Sequence, residues 1–296
     1  MYKTVEDYLA DLKQELAGSD QATIQDALSD AEEHLRMAVA SLREDKPDLA
    51  EETALQTAID QYGSPAETAA AYAEVERRTA PGLSSGVNRK SRSFLGRFFG
   101  VYAHTRAWGA ILYMLIALVT GSLYFTWAVM GLSFSVSFSI FIFGLPFALL
   151  FLLSVRGLAL LEGRIVEALL GVRMPRRPLF APRGLKWLER LKMQLLDKYT
   201  WLALIYMLLQ MPLGTLYFSL LTTLFVFSLS LIAMPFAQLL LQIPPIQTSS
   251  TMIFLPFWAL ILIGLAGILT ATLTMHLARG IGWLHGRYAK FMLVTE

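Results

Sequence analysis

Two long stretches of this chain carry no Asp, Glu, Lys or Arg: the 49 residues from Ala107 to Val155 and the 80 residues from Tyr199 to Ala278. An apolar helix needs roughly 20 residues to cross a bilayer core. In lipid the backbone N–H and C=O groups of a lone crossing segment must be satisfied within it, so such segments cross as helices. The two stretches therefore imply several membrane spans. The chain as a whole is 55% hydrophobic and 16% charged, whereas a soluble domain carries about 25% charged residues.

The remaining charges are divided by sign. Residues 1–80 hold 18 acidic and 7 basic side chains, and residues 81–296 hold 5 acidic and 18 basic ones. Such asymmetry marks two parts in different surroundings. The acidic part repels phosphates, so direct nucleic-acid binding is not expected of it. Cysteine is absent, which excludes disulfides, thiolate catalysis and Cys-based metal sites. The polar, acidic N-terminus lacks the basic and apolar regions of a signal peptide.

Residues 1–78 read as a small soluble helical domain. Thr4 starts a helix with Val5, Tyr8, Leu9, Leu12 and Leu16 on one face, ended by Gly18. A second helix begins near Ser19 or Asp20 and repeats Ile24, Ala27, Leu28, Ala31, Leu35, Ala38 and Leu42 until Pro47 breaks it. Asp48 is expected to cap a third helix, ending at Tyr62-Gly63. Ser64-Pro65-Ala66-Glu67 reads as a capping box with Pro at the first helical position of a fourth helix. Residues 79–106 form a basic linker.

The run from Tyr62 to Tyr72, together with Ala31-Glu32-Glu33-His34-Leu35, resembles the HAAS family of bacterial HTH-associated α-helical signalling domains over about residues 4–76. The resemblance implies a link to a PadR-like or other helix-turn-helix regulator. Glu32, Glu33 and Arg36, with the Gly63, Ser64 and Pro65 corner, are the partner-binding candidates. The same corner also serves any helical bundle as a helix stop and start. His34 has no second His or Cys at ligand spacing and is read as solvated or partner-facing.

Residues 107–294 read as a polytopic α-helical membrane domain built from a tandem repeat, so the fold class is all-α. At an offset of 93 residues Trp108, Tyr113 and Gly121 fall on Trp201, Tyr206 and Gly214, and 9 of 24 positions from Trp108 are identical. Arg156-Gly157 and Glu162-Gly163-Arg164 are echoed by Arg279-Gly280 and His285-Gly286-Arg287. The repeats cover 107–170 and 200–293, with an amphipathic connection over 171–199.

Lys and Arg beside a membrane stay on the cytoplasmic side. Three basic segments, Arg89–Arg106, Arg156–Lys198 and Arg279–Lys290, fall on one side if the spans are about 107–130, 134–155, 200–223 and 254–277. That arrangement gives four spans with both termini cytoplasmic, in a bacterial inner membrane, and uncharged outer connections near Gly131 and at Gln242–Thr251. Residues 224–241 remain open as an extended helix, a re-entrant piece or a fifth span.

The Trp, Tyr and Gly spacing of the repeat, the Arg156–Val172 helix and Asp197-Lys-Tyr-Thr-Trp201 make residues 100–293 similar to the bacterial Putative sensor membrane family. That family is best known as the input module of histidine kinases, and no kinase or helix-turn-helix segment follows in this sequence.

Intramembrane ionisable groups mark pumps and relays; here His276 stands at a span end and is read as structural. Gln210 and Gln238 are expected to hydrogen-bond between helices. Leu185, Leu188, Leu191 and Leu195 share a helical face flanked by Lys186, Trp187, Arg190 and Lys192, which suits either a membrane surface or docking of the acidic domain. No Walker, nucleophile-elbow, zinc-protease or dinucleotide motif occurs. No catalytic residue, metal or cofactor is expected. The function expected is that of a non-enzymatic membrane sensor or regulator, with the lipid bilayer and a cytoplasmic regulator as partners and homo-oligomerisation left open. The alternative is a transporter or a membrane subunit of one.

Overall fold

The computed structural model describes residues 2–79, 94–138, 144–175, 187–248 and 251–294. Four helices make the N-terminal domain: α1 (Val5–Glu15), α2 (Gln21–Asp45), α3 (Glu51–Tyr62) and α4 (Pro65–Thr79). Thr4 and Asp7 close a reciprocal capping box on α1, and the Asp20 side chain caps α2 at the amide of Ala22. On α4, the Glu67 carboxylate accepts from the Ser64 amide at 2.9 Å while Ser64 Oγ accepts from the Glu67 amide at 3.3 Å. The backbone bond from Ser64, and then its hydroxyl, hold the Glu67 carboxyl below its ordinary value.

Asp48 does not cap α3. A turn from Lys46 to Leu49 delays the helix, which begins at Glu51 with Ala50 at the cap position and no side-chain bond. Glu51 and Glu52 in the first turn complement the helix dipole instead.

The spacing of apolar residues then fixes the bundle core: Tyr8, Leu12, Leu16, Ala27, Ala31, Leu35, Leu55, Ala58, Ile59 and Ala69. Tyr8 is fully buried, and its hydroxyl donates to the Gly63 carbonyl at 2.9 Å and meets Thr68 Oγ1 at 3.2 Å. Gly63 sits at φ +110°, where a side chain would be strained.

A short helix, α5 (Phe94–Phe98), and a 3₁₀ turn (Phe99–Ala103) lead into the apolar half. There α6 (Thr105–Phe138), α7 (Gly144–Leu170), α9 (Lys198–Leu241) and α10 (Phe257–Leu293) are each long and apolar enough to cross a membrane. The surface helix α8 (Trp187–Leu196) precedes α9. The fold is all-α apart from one hairpin among the described residues, β1 (Ile246–Thr248) with β2 (Thr251–Ile253), antiparallel with Ile246 opposite Ile253.

One boundary differs from that read in the sequence, and of the readings left open for residues 224–241 the extended helix is the one found. No connection interrupts the chain at Gly131, because α6 continues to Phe138. Gly131 is instead a packing position: a Cβ there would lie 2.0 Å from the Phe151 ring of α7. Residues 224–241 are neither a separate span nor re-entrant. They extend α9 to 44 residues, about 66 Å at 1.5 Å per residue, with Pro212 and Pro235 inside the helix.

The chain divides into two compact units, each described by itself. One comprises Met1–Ser85, Trp127–Tyr206 and Arg287–Glu296; the other comprises Gly86–Thr126 and Met207–Gly286. The second unit has a core of Val101, Ala107, Ile111, Met114, Leu221, Met275 and Ala278. In it α9 and α10 pack antiparallel: Ile232 closes on Gly267, Pro235 on Gly264, and Gln238 bonds both backbone groups of Leu255.

Candidate functional site where the N-terminal domain docks

Within the first unit the N-terminal domain is held to the apolar helices by charge. At 100° per residue, Ala22, Gln25, Asp26 and Ser29 of α2 lie opposite the core face formed by Ala27, Ala31 and Leu35. They are nonetheless buried. The Asp26 carboxylate accepts from Arg173 Nη2 at 3.2 Å, and Arg173 Nη1 also donates to Glu167 of α7 at 3.1 Å. The side chains of Arg173 and Asp26 are only 14% and 8% exposed. At the N-terminus of α2, Asp20 pairs with Lys290 of α10. Removing one partner of a buried pair costs about 3–5 kcal/mol, mostly from the charge left behind.

Beside this contact lies a cavity of about 70 Å³. It is walled by Gln25 of α2, Arg156, Ala159, Leu160 and Gly163 of α7, Met174 and Pro175, the α9 start, and Leu293. Arg156 Nη2 donates to Asp197 at 2.6 Å, and both Nε and Nη2 reach Thr200 Oγ1 at 3.2 Å. Asp197 also caps α9 by accepting from the amides of Tyr199 and Thr200. The guanidinium is therefore fixed at the N-terminus of one long helix from the side of another.

Residues 93 positions apart in the sequence make similar bonds. Trp108 Nε1 donates to the carbonyl of Tyr102, and Trp201 Nε1 donates to that of Leu195, each six residues back. In the first unit Tyr206 donates to Glu162 at 2.9 Å. In the second, Tyr113 meets His285 Nε2 at 2.6 Å, Gln210 donates to Tyr113 at 2.8 Å, and Tyr217 meets His285 Nδ1 at 3.1 Å. Glu162 and His285 occupy equivalent places in the two echoed Arg-Gly segments.

The glycines answer each other as well. A Cβ on Gly121 would lie 2.5 Å from the carbonyl oxygen of Gln210, and one on Gly214 would lie 2.2 Å from that of Ala117. Gln210 and Ala117 are themselves 93 residues apart, so the crossing is reciprocal.

The sequence candidates fall in different places. Arg36 bonds Glu32 at 3.0 Å and Glu6 at 2.6 Å, tying α2 to α1; Glu32 and Glu33 are half-buried, not fully exposed. At the corner Ser64 is exposed, Pro65 is buried and Gly63 is held by Tyr8. Lys186 lies outside the described residues, as do the side chains of Trp187 and Arg190 within α8. Lys192 is exposed. On the expected leucine face Leu191 is buried, while Leu188 and Leu195 are exposed. Arg164 pairs with Glu167 at 3.4 Å, and Arg279 and Arg287 are exposed.

Gln210 does bond to a neighbouring helix, whereas Gln238 clamps a connection. His276 meets the Phe98 carbonyl. Two buried ionisable groups beyond those considered in the sequence are Glu162 and His285. Both are 1% exposed, inside α7 and α10. They were assigned by charge counting to the segments beyond the spans. The signal that could have found them is their shared place in the two echoed Arg-Gly segments of the sequence. Asp20, Asp26, Arg173 and Lys290 were not singled out either, because ion pairs between distant segments leave no local pattern.

Among the described residues, no three His, Asp or Glu side chains gather as a metal site would. None of the curated proteins and none of the solved structures compared matches the chain. Residues 113–293, more than half of its length, match the model of the family described as Putative sensor. The match takes in both Tyr-centred polar pairs, Arg156 with Asp197, and the reciprocal glycine crossing, and on it the chain belongs to the Putative sensor family.

Proposed function

We propose that this protein is a non-catalytic membrane sensor whose N-terminal domain reports the state of the spans to a cytoplasmic partner. The observation that carries this reading is the pair of ion pairs, Asp26 with Arg173 and Asp20 with Lys290. They join a separately cored acidic domain to the ends of apolar helices. Interfaces of this polar kind between domains permit relative motion. A change in the spans that shifts Arg173 or Lys290 alters how firmly α2 is held, and the buried polar face of α2 then becomes available.

The partner that fits is a PadR-like helix-turn-helix regulator, which the HAAS resemblance of residues 4–76 supports. Glu32, Glu33 and the Gly63–Pro65 corner remain the candidate contact, and the positive-inside rule supports cytoplasmic termini in a bacterial inner membrane. The repeated architecture is read as a scaffold for sensing.

The test uses the full chain in lipid nanodiscs. Its lack of cysteine lets dyes be placed at Ser41→Cys and Lys192→Cys, both exposed. Asp26→Arg and Arg173→Asp should each lower energy transfer between the dyes, and the double exchange should restore part of it. The released single variants should also capture a PadR-like regulator differently from the wild type. Unchanged transfer in both single variants, or equal capture by docked and released forms, refutes the relay.

A further inference from the structure

We infer that the cavity at Arg156 binds a phosphodiester group of a membrane lipid, and that its occupancy holds the N-terminal domain docked. The inference rests on the docking reading above and adds what controls it.

Three observations carry the assignment. Arg156 uses Nε and Nη2 for Thr200 and Asp197, and Nη1 has no hydrogen bond among the described residues. A guanidinium held by one edge presents the other to an oxyanion, and its planar fork suits phosphate. Depth is the second. Arg156 is the first charged residue after the 49 uncharged ones ending at Val155, so it stands where the hydrocarbon of a bilayer gives way to its phosphates. The third is size. About 70 Å³ accommodates roughly five to seven water-sized volumes of about 10–15 Å³ each, which suits one phosphate group.

The walls narrow the chemistry further. Asp197 already neutralises Arg156, so a doubly charged free phosphate meets an opposing carboxylate, while a singly charged diester meets less repulsion. Leu160, Met174 and Leu293 offer apolar surface to the glycerol side of a lipid. Gln25 belongs to the docked domain and lines the same cavity. A lipid phosphate there meets Gln25 only when the domain is docked, and by linkage this added contact favours docking.

The experiment uses the dye-labelled full chain, stripped of lipid in detergent. Phosphatidylglycerol should raise energy transfer between the Ser41→Cys and Lys192→Cys dyes, and native mass spectrometry should detect a retained lipid. Inorganic phosphate should need at least a tenfold higher concentration for the same rise. Arg156→Gln should weaken the lipid effect at least tenfold. Ala159→Leu, which fills the cavity and keeps the Arg156–Asp197 pair, should do the same and decides the matter if Arg156→Gln unfolds. An equal response to free phosphate overturns the lipid assignment, and a lipid response that survives Ala159→Leu overturns the site. Loss of lipid dependence while the Asp26/Arg173 exchange still behaves as expected overturns this inference alone.

Discussion

Replacing Gly121 or Gly214 by Ala tests the reciprocal helix crossing. The added Cβ atoms would lie 2.5 Å from the Gln210 carbonyl oxygen and 2.2 Å from that of Ala117. Both obstacles are helix backbone, which no rotamer change removes. Reaching a tolerable separation of about 3.2 Å requires the helices to part by about 1 Å. Overpacking of this kind costs about 1–3 kcal/mol. Parting also stretches the Gln210–Tyr113 bond from 2.8 Å toward about 3.8 Å, beyond hydrogen-bond reach, and losing one such bond costs about 0.5–1.5 kcal/mol more. Better helix propensity returns about 1 kcal/mol. The net expectation is about 0.5–3.5 kcal/mol for each variant, and less than the sum for the double variant, because the two sites share one contact. Unfolding in mixed micelles, followed by far-UV circular dichroism, measures it. Two Ala variants as stable as the wild type would refute the close crossing.

Gly157→Ala and Gly280→Ala meet nothing within 4 Å in their helices, so the same assay should find each neutral or up to about 1 kcal/mol more stable. Tyr113→Phe should destabilise more than Tyr217→Phe, since Tyr113 serves both Gln210 and His285 while Tyr217 serves His285. Tyr8→Phe deletes the bond to the Gly63 carbonyl and should cost about 1 kcal/mol, read as a lower melting point of the N-terminal helices. The carboxyls of Glu6 and Glu67 both lie below their ordinary 4.5, Glu6 first through a backbone bond and Glu67 through the Ser64 amide. Depressed values stabilise the fold above pH 4.5, and that contribution is lost as pH falls through the folded values; a thermal series from pH 7 to 3 should show it, with a shallower decline in Ser64→Ala.

Local chemistry was legible in the sequence, and distance was not. Thr4, Ser19 or Asp20, and Ser64-Pro65 announce helix starts through groups a few residues apart, and the structure uses Thr4, Asp20 and Ser64. Asp48 misleads because a turn ahead of α3 displaces the helix start. The spans announce themselves by lack of charge, yet charge and hydropathy do not mark helix ends, so α6 and α9 run on past Gly131 and Leu224. The 93-residue correspondence in the sequence points to Trp108, Tyr113 and Gly121 with their counterparts, but which of them touch depends on how the helices pack. Arg173 and Lys290 counted only as positive charges; their partners Asp26 and Asp20 lie 147 and 270 residues away.

The two prolines of α9 have a mechanical consequence. Each lacks an amide hydrogen, so the carbonyls of Leu208 and Leu231 lose their bond one turn ahead. The interruptions stand 23 residues apart, about 35 Å along the axis, close to the thickness of a hydrocarbon slab. The longest rod in the molecule thus carries two compliant joints spaced by nearly one membrane thickness. Bending at either joint redirects the end beyond it and leaves the stiff middle segment straight.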